Sequence, residues 1–308
     1  MIVVTGATGN VGRQVVAALA APTVAESGGA AAPQVVAVSR RPVEPAGPGQ
    51  GQEPAQGQGQ SPAQGQEQNP ELRRPHVIHR QADLASPDTL RPAFEGADTL
   101  FLLVAGDDPH AVLDAAKTAG IRRVVLLSSQ GAGTRPQAYA HAAAFEAAVR
   151  GSGLEWTVLR PGGFASNAFA WAEAVRTRRT VFAPFGDVAL PVVDPADVAQ
   201  VAAAVLREQG HAGRTYELTG PAAMSPRERA GAIGAAIGEP VDFVEQSRAE
   251  AREQMLGFMP EPVADATLGI LGEPLPAEQS VTPDVERVLG RPAGSFAAWA
   301  AGHRAAFA

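Results

Sequence analysis

Four β-prone residues, Ile2 to Thr5, run straight into Gly6, Gly9 and Gly12, and a helix-compatible run from Arg13 to Leu19 follows. This order constrains the chain more than any other feature. A strand that turns through closely spaced glycines into a helix opens a βα unit whose turn can cradle phosphates. Gly6 permits the tight turn, Gly9 lets the backbone approach a pyrophosphate, and Gly12 lets the helix pack closely on the strand. The helix N-terminus then offers unpaired N–H groups and a partial positive charge. The spacing is Gly-x-x-Gly-x-x-Gly, with Thr8, Asn10 and Val11 at intervening positions that would face a dinucleotide.

Strand and helix signals alternate through the first half of the chain. Strands are expected at Gln34–Ser39, Val77–Gln81, Thr99–Val104, Arg123–Ser128 and Trp156–Leu159. Helices are expected from Asn10 to about Ala20, from Ser86 to about Gly96, at Pro109–Ala119 and around Phe145–Arg150. Ser86-Pro87-Asp88 opens its helix with a capping serine and a proline at the first position. Repeated βα units imply an α/β fold with a doubly wound parallel sheet, and Thr99–Val104 reads as a strand buried on both faces. After Pro161 the pattern loosens. Helices are expected at Asn167–Arg178, Pro195–Arg207, Pro226–Ile237, Arg248–Leu256 and Phe296–Phe307, and short strands at Thr215–Leu218 and Val241–Val244. The expected division is therefore a dinucleotide-binding core over 1–160 and a smaller, mostly helical substrate or partner region over 161–308 that returns in part to the sheet. The segment 43–70 is almost entirely Pro, Gly, Gln, Ala and Glu and is expected to be a disordered insert, because it has too little apolar surface to offset the entropy of ordering. Glu26–Pro33 reads as a loop.

A net charge of −7 argues against a nucleic-acid or membrane-surface protein, both of which need basic patches. The absence of cysteine excludes disulfides, thiolate catalysis and thiolate metal sites, and no metal is expected. No apolar run is long enough to span a bilayer, and no signal-peptide pattern precedes the first strand, so a cytoplasmic location is expected. The sequence does not specify an oligomeric state.

The ends of the expected strands supply the remaining cofactor contacts. Ser39-Arg40-Arg41 closes strand two where an NAD site would place an acid for the ribose 2′-hydroxyl. Two guanidinium groups suit the 2′-phosphate instead, so NADP(H) is expected over NAD(H). Asp83 and Leu84 would meet the adenine, although Asp83 is also an ordinary turn acid. Val104 and Ala105 are small enough for close backbone approach to a ribose. Ser128 lies at the sheet edge where a nicotinamide would sit, or else it caps a loop.

Together these pieces resemble the NmrA-like group of atypical short-chain dehydrogenases/reductases. The resemblance rests on Thr5 to Gly12, Ser39-Arg40, Asp83-Leu84, Leu126 to Ser129, Ser152 to Pro161 with Phe164 and Asn167, Asp194 to Ala199, and Tyr216 to Pro221. It covers nearly the whole chain outside the insert. It implies a Rossmann core and NAD(P) binding, in a group that includes quinone and isoflavone-type reductases as well as cofactor sensors without turnover.

The wider superfamily pairs a tyrosine with a lysine four residues later, where the ammonium lowers the tyrosine pKa for proton transfer. Here the family spacing puts Ala138 and Ala142 at those positions, Tyr139 is followed four later by Ala143, and the single lysine, Lys117, precedes strand five. The usual alcohol-dehydrogenase chemistry is therefore not expected. The catalytic candidates that remain are Tyr139, His141 and Ser128, with Gln130 nearby and Glu146 read as structural. A quinone needs no protein acid, since its reduced anion can take protons from water. The expected activity is hydride transfer from NADPH to a quinone or similar conjugated carbonyl, in a pocket shaped by Tyr139, Phe164 and Asn167, with Phe169 and Trp171 nearby. The alternative is a non-catalytic NADP(H) sensor acting through a protein partner.

Overall fold

The computed structural model describes residues 1–21, 33–41 and 76–308, so the insert expected over 43–70 and most of the Glu26–Pro33 loop lie outside the described residues. Seven parallel strands form the main sheet: β1 (Ile2–Thr5), β2 (Val35–Ser39), β3 (Val77–Gln81), β4 (Thr99–Leu103), β5 (Arg123–Leu127), β6 (Glu155–Pro161) and, after β7 (Thr180–Ala183), β8 (Arg214–Leu218). The order is β3-β2-β1-β4-β5-β6-β8. The chain steps outward from β1 to β3 and then crosses back to place β4 on β1's other side. That reversal opens a crevice at the C-terminal ends of β1 and β4, the usual ligand position in an open α/β sheet.

Side-chain alternation builds the two faces. Ile2, Val4, Val35, Ala37, Phe101, Val125 and Leu159 point into one core, with Val15, Val16 and Leu19 of α1 (Gly12–Ala20) and Val198, Val201 and Val205 of α7 (Pro195–Arg207). Val3, Val36, Val38, Leu100, Leu102, Val124, Leu126 and Val158 point into the other. There they meet α2 (Leu90–Phe94), α3 (Pro109–Thr118) and α5 (Ala140–Gly151) through Leu90, Phe94, Val112, Leu113, Phe145 and Val149. Full burial of each large apolar side chain contributes about 1.5–3 kcal/mol, which is why the central strands read as unbroken apolar runs.

A third core belongs to the later part of the chain. It gathers Val175 of α6 (Ala172–Arg178), Val181 of β7, Ile233 of α8 (Pro226–Ile237), Phe296 and Trp299 of α13 (Phe296–Gly302), and Phe307. Strand β7 pairs in parallel with β9 (Asp242–Glu245) in a separate two-stranded sheet. Helices α9 (Arg248–Leu256), α10 (Glu261–Gly272), α11 (Pro276–Gln279) and α12 (Asp284–Leu289) complete this part, and α4 (Gln130–Thr134) follows β5.

Several expected elements differ in the structure. The helix expected from Ser86 is a 3-10 turn, Pro87–Thr89, followed by the short α2. Asn167–Arg178 begins as a 3-10 segment, Ala165–Trp171, before α6, and Phe296–Phe307 splits into α13 and a 3-10 turn at Arg304–Ala306. β7, α4, α10, α11 and α12 carry no clear sequence signal. In α10, Gly269 and Gly272 weaken helix propensity. A Cβ at Gly269 would come within 2.7 Å of the Arg135 guanidinium, so the glycine makes room for a tertiary contact.

Candidate functional site

The cradle forms at the end of β1. The Thr5 hydroxyl donates to the Phe101 carbonyl (3.0 Å) and accepts from the Leu103 N–H (2.9 Å), fixing β1 to β4. Gly6 takes φ +62°, a left-handed conformation that favours glycine. The turn closes with Gly9 N–H donating to the Gly6 carbonyl (2.9 Å), and Ala7 N–H donates to Val38 of β2 (3.1 Å). A Cβ at Gly12 would stand 2.1 Å from the Gly6 oxygen, so α1 packs on the turn as only glycine allows. No side chain caps α1 at Val11; Arg13 N–H turns back to the Gly9 carbonyl (3.1 Å), and the remaining first-turn N–H groups are available to an anion. Thr8 sits half-buried in the turn, and Asn10 donates to the Ser166 hydroxyl (2.9 Å), tying the cradle to the later part of the chain.

The neighbouring strand ends line the same edge. Ser39 donates to the Arg41 carbonyl (2.6 Å), and Arg40 and Arg41 are exposed at the end of β2. The Asp83 carboxylate accepts from Ala85 N–H (3.0 Å) and so shapes the turn after β3. Leu84 is buried, and its carbonyl would meet a Cβ at Gly106 at 2.4 Å, which brings the turns after β3 and β4 together around Val104 and Ala105. A glycine cradle that a Cβ would fill, an uncapped helix start and a row of strand ends fit a bound NAD(P)H.

The structure separates the three catalytic candidates. Ser128 is buried, and its hydroxyl donates to Glu146 Oε1 (2.6 Å). Glu146 also accepts two bonds from Arg160 (2.9 and 2.7 Å) and pairs with Arg150 (2.9 Å). Burial pushes the Glu146 carboxyl up, but the bonds from Arg160 and Ser128 and the nearby positive charges outweigh it and hold the group below the ordinary glutamate value. His141 Nε2 lies 2.7 Å from the Gly106 carbonyl and its ring meets Phe145 edge-on. Tyr139 lies over Gly131, where an added Cβ would come within 2.5 Å of the tyrosine ring. Lys117 pairs with Asp114 on α3 (2.8 Å).

Beside these strand ends is a cavity of about 1220 Å³. Ser129, Gln130 and Gly131 after β5, and Pro161 at the end of β6 with Gly162 and Gly163 after it, line its base. Tyr139, Phe164, Asn167 and Trp171 form one wall, and Met255, Phe258, Thr267, Ile270 and Leu271 close it from α9, α10 and the turn between them. Phe169 is turned away, packing on Trp299 (5.0 Å between centroids), His303 and Phe307. Arg135 anchors the end of α10 by donating to the carbonyls of Gly269 (3.4 Å) and Glu273 (2.9 Å), and ties in α11 through Glu278, which accepts from Arg135 (2.8 Å), Thr134 (2.8 Å) and Leu275 N–H (2.8 Å). Nothing in the sequence around Glu278, Arg135 or Arg229 marks them as part of this site; only the tertiary packing brings them to it.

The family model described as NAD(P)H-binding matches residues 62–209. The chain is 36% identical over 316 aligned residues to the (4-alkanoyl-5-oxo-2,5-dihydrofuran-3-yl)methyl phosphate reductase of Streptomyces griseus, spanning 100% of this chain and 99% of that protein. It is 35% identical to the NAD(P)H azoreductase of Xenophilus azovorans, over 73% of this chain and 82% of that one. The crystal structure of an Escherichia coli NADPH-dependent quinone oxidoreductase complexed with NADPH superposes with a TM-score of 0.73 at 25% identity, covering 98% of this chain and 99% of the other. The chain belongs to the NAD(P)H-binding, NmrA-like oxidoreductases of the atypical short-chain group. Among the described residues, no helix is long and apolar enough to cross a membrane.

Proposed function

We propose that this protein reduces a quinone or similarly conjugated carbonyl with NADPH as the preferred donor. The observation that carries the reading is the largely apolar cavity beginning at the C-terminal ends of β5 and β6, on the same sheet edge at which β1 runs into the glycine cradle, and without a Tyr/Lys pair. When bound, NADPH would supply a hydride, being oxidised to NADP+, and one further proton from water would complete the hydroquinone. Gly6, Gly9 and Gly12 with the N–H groups of α1 would hold the pyrophosphate, and Arg40 and Arg41 the 2′-phosphate. Tyr139, Phe164 and Asn167 would orient the acceptor, and Met255, Ile270 and Leu271 would offer it apolar surface. Burial raises the Tyr139 hydroxyl above its ordinary value; a hydrogen bond with Thr267 works against this, and the Glu278 charge adds to the rise. The phenol therefore stays protonated near neutrality. It can donate a hydrogen bond to a carbonyl oxygen, but it is a poor proton source, which suits an acceptor that takes its proton from water.

The test is NADPH and NADH consumption across a panel of quinones, for the unaltered protein and for Arg40→Ala/Arg41→Ala. Quinone-dependent oxidation is expected, with the double variant losing NADPH affinity at least tenfold more than NADH affinity. Equal losses for the two cofactors would remove the 2′-phosphate assignment. NADPH binding without turnover on any quinone would favour the sensor reading.

Tyr139→Phe is expected to lower kcat about tenfold, the size of one lost hydrogen bond to the developing charge, and to leave the KM for NADPH unchanged. A raised KM with unchanged kcat would instead place Tyr139 in cofactor binding.

A further inference from the structure

Arg229 on α8 lines the cavity yet has no acidic partner among the described residues. It is only 6% exposed, and its Nε has no hydrogen-bond acceptor. The guanidinium stacks on Trp171, with its carbon 5.2 Å from the ring centroid. Arg207, the other described residue with an unpartnered buried Nε, differs, because its Nη2 caps the end of α1 through the carbonyls of Ala18, Leu19 and Ala21. Arg229 has no such outlet.

The acids of the cavity are engaged elsewhere. Glu173 pairs with Arg176 (2.6 Å) and Glu278 with Arg135 (2.8 Å). A second cation, Arg178, lines the same cavity and stacks on Phe182 (4.8 Å) without an ion pair among the described residues. Among the described residues the largely apolar cavity thus has two guanidinium groups without an ion pair, Arg178 exposed at its surface and Arg229 deeply buried. Burying such a charge is costly unless an anion meets it, and burial pushes the Arg229 pKa down to about 10. An oxyanion held by the planar fork of an arginine offsets that cost with charge-assisted hydrogen bonds.

We infer that Arg229 recognises an anionic substituent of the substrate, a phosphate ester or a carboxylate, which enters the cavity with the substrate's unsaturated ring system. The inference deepens the reductase reading by naming the substrate class of the same cavity. Trp171 holds the guanidinium plane while the surrounding apolar wall takes up the rest of the molecule. Arg229 acts in binding and takes no part in proton or hydride movement.

Calorimetric titration tests this without turnover. Protein saturated with NADP+, so that the cradle and Arg40/Arg41 are occupied, is titrated with phenyl phosphate, benzoate, phenol and inorganic phosphate. At least one aromatic anion is expected to bind tenfold or more tightly than phenol and more tightly than inorganic phosphate. Arg229→Met should abolish that preference and Arg229→Lys should restore part of it; Arg229→Gln serves if the methionine variant does not fold. Equal binding of phenol and both aromatic anions would overturn the inference. Inorganic phosphate binding as tightly as phenyl phosphate would also overturn it, as would a preference that survives in a folded Arg229 variant. Because no quinone is reduced, failure here leaves the reductase reading intact, and failure of that reading leaves this result intact.

Discussion

Replacing Gly12 with alanine should weaken NADPH binding about a hundredfold, the size of losing hydrogen bonds worth about 3 kcal/mol to a charged phosphate. The new methyl carbon would stand 2.1 Å from the Gly6 carbonyl oxygen and 2.7 Å from its carbon. These are backbone atoms of a turn already fixed by Gly6 at φ +62° and by the Gly9 N–H bond to the same oxygen, so no side chain can swing aside. The relief available is a shift of α1 away from β1, which moves the uncapped N–H groups off the phosphates. Overpacking of this kind costs about 1–3 kcal/mol, so a melting-temperature drop of only a few degrees should accompany the larger loss of binding. Calorimetric titration of NADPH with thermal melts of both proteins checks this. Unchanged affinity would mean that the phosphates do not rest on this turn.

Removing the Glu146 carboxylate should cost about 3 kcal/mol in Glu146→Ala, a fall in melting temperature of roughly 5–10 °C. The side chain is 2% exposed and accepts from Ser128, Arg160 and Arg150 together, whereas Arg160 keeps only a longer contact to Glu217 (3.6 Å) once it is gone. Two cations would then face each other across the lost anion. The effect should reach the cavity floor, because the Arg160 guanidinium lies beneath Gly133, where a Cβ would be 2.3 Å away, on the helix that carries Gln130 and Gly131. Loss of turnover is expected alongside loss of stability.

The pH dependence has a definite sign. The Glu146 carboxyl is held below its ordinary value, so the stability it provides is fully present above the unfolded value, near pH 4.3, and is lost as pH falls through the folded value. The stability gap between the unaltered protein and Glu146→Gln should therefore narrow on acidification below about pH 4. A gap that stays constant from pH 7 to pH 3 would show that the carboxylate charge is not what stabilises the cluster.

Short-range signals made the central fold legible. The central strands β1, β2, β4 and β5 appear in the sequence because they are buried on both faces and read as apolar runs, and Val77–Gln81, Pro195–Arg207 and Pro226–Ile237 have the expected bounds. The glycine cradle is legible for the same reason: the left-handed turn at Gly6 and the close approach at Gly12 are local demands that one residue type meets. Tyr139, Phe164 and Asn167 line the cavity, while Ser128 is engaged with Glu146 and Phe169 is turned into an aromatic cluster.

By itself, then, the sequence determined the strand-turn-helix cradle, the parallel sheet and the absence of a Tyr/Lys pair, since periodicity, turn chemistry and residue identity are properties of neighbouring positions. Tertiary structure decided what surrounds the reacting end. Glu278 lies 143 positions from the Arg135 it anchors, and Arg229 stacks on a tryptophan from a different segment. Whether a buried charge is neutralised or left facing a cavity depends on which distant side chains arrive beside it. Only packing of the later helices against the ends of β5 and β6 settles that.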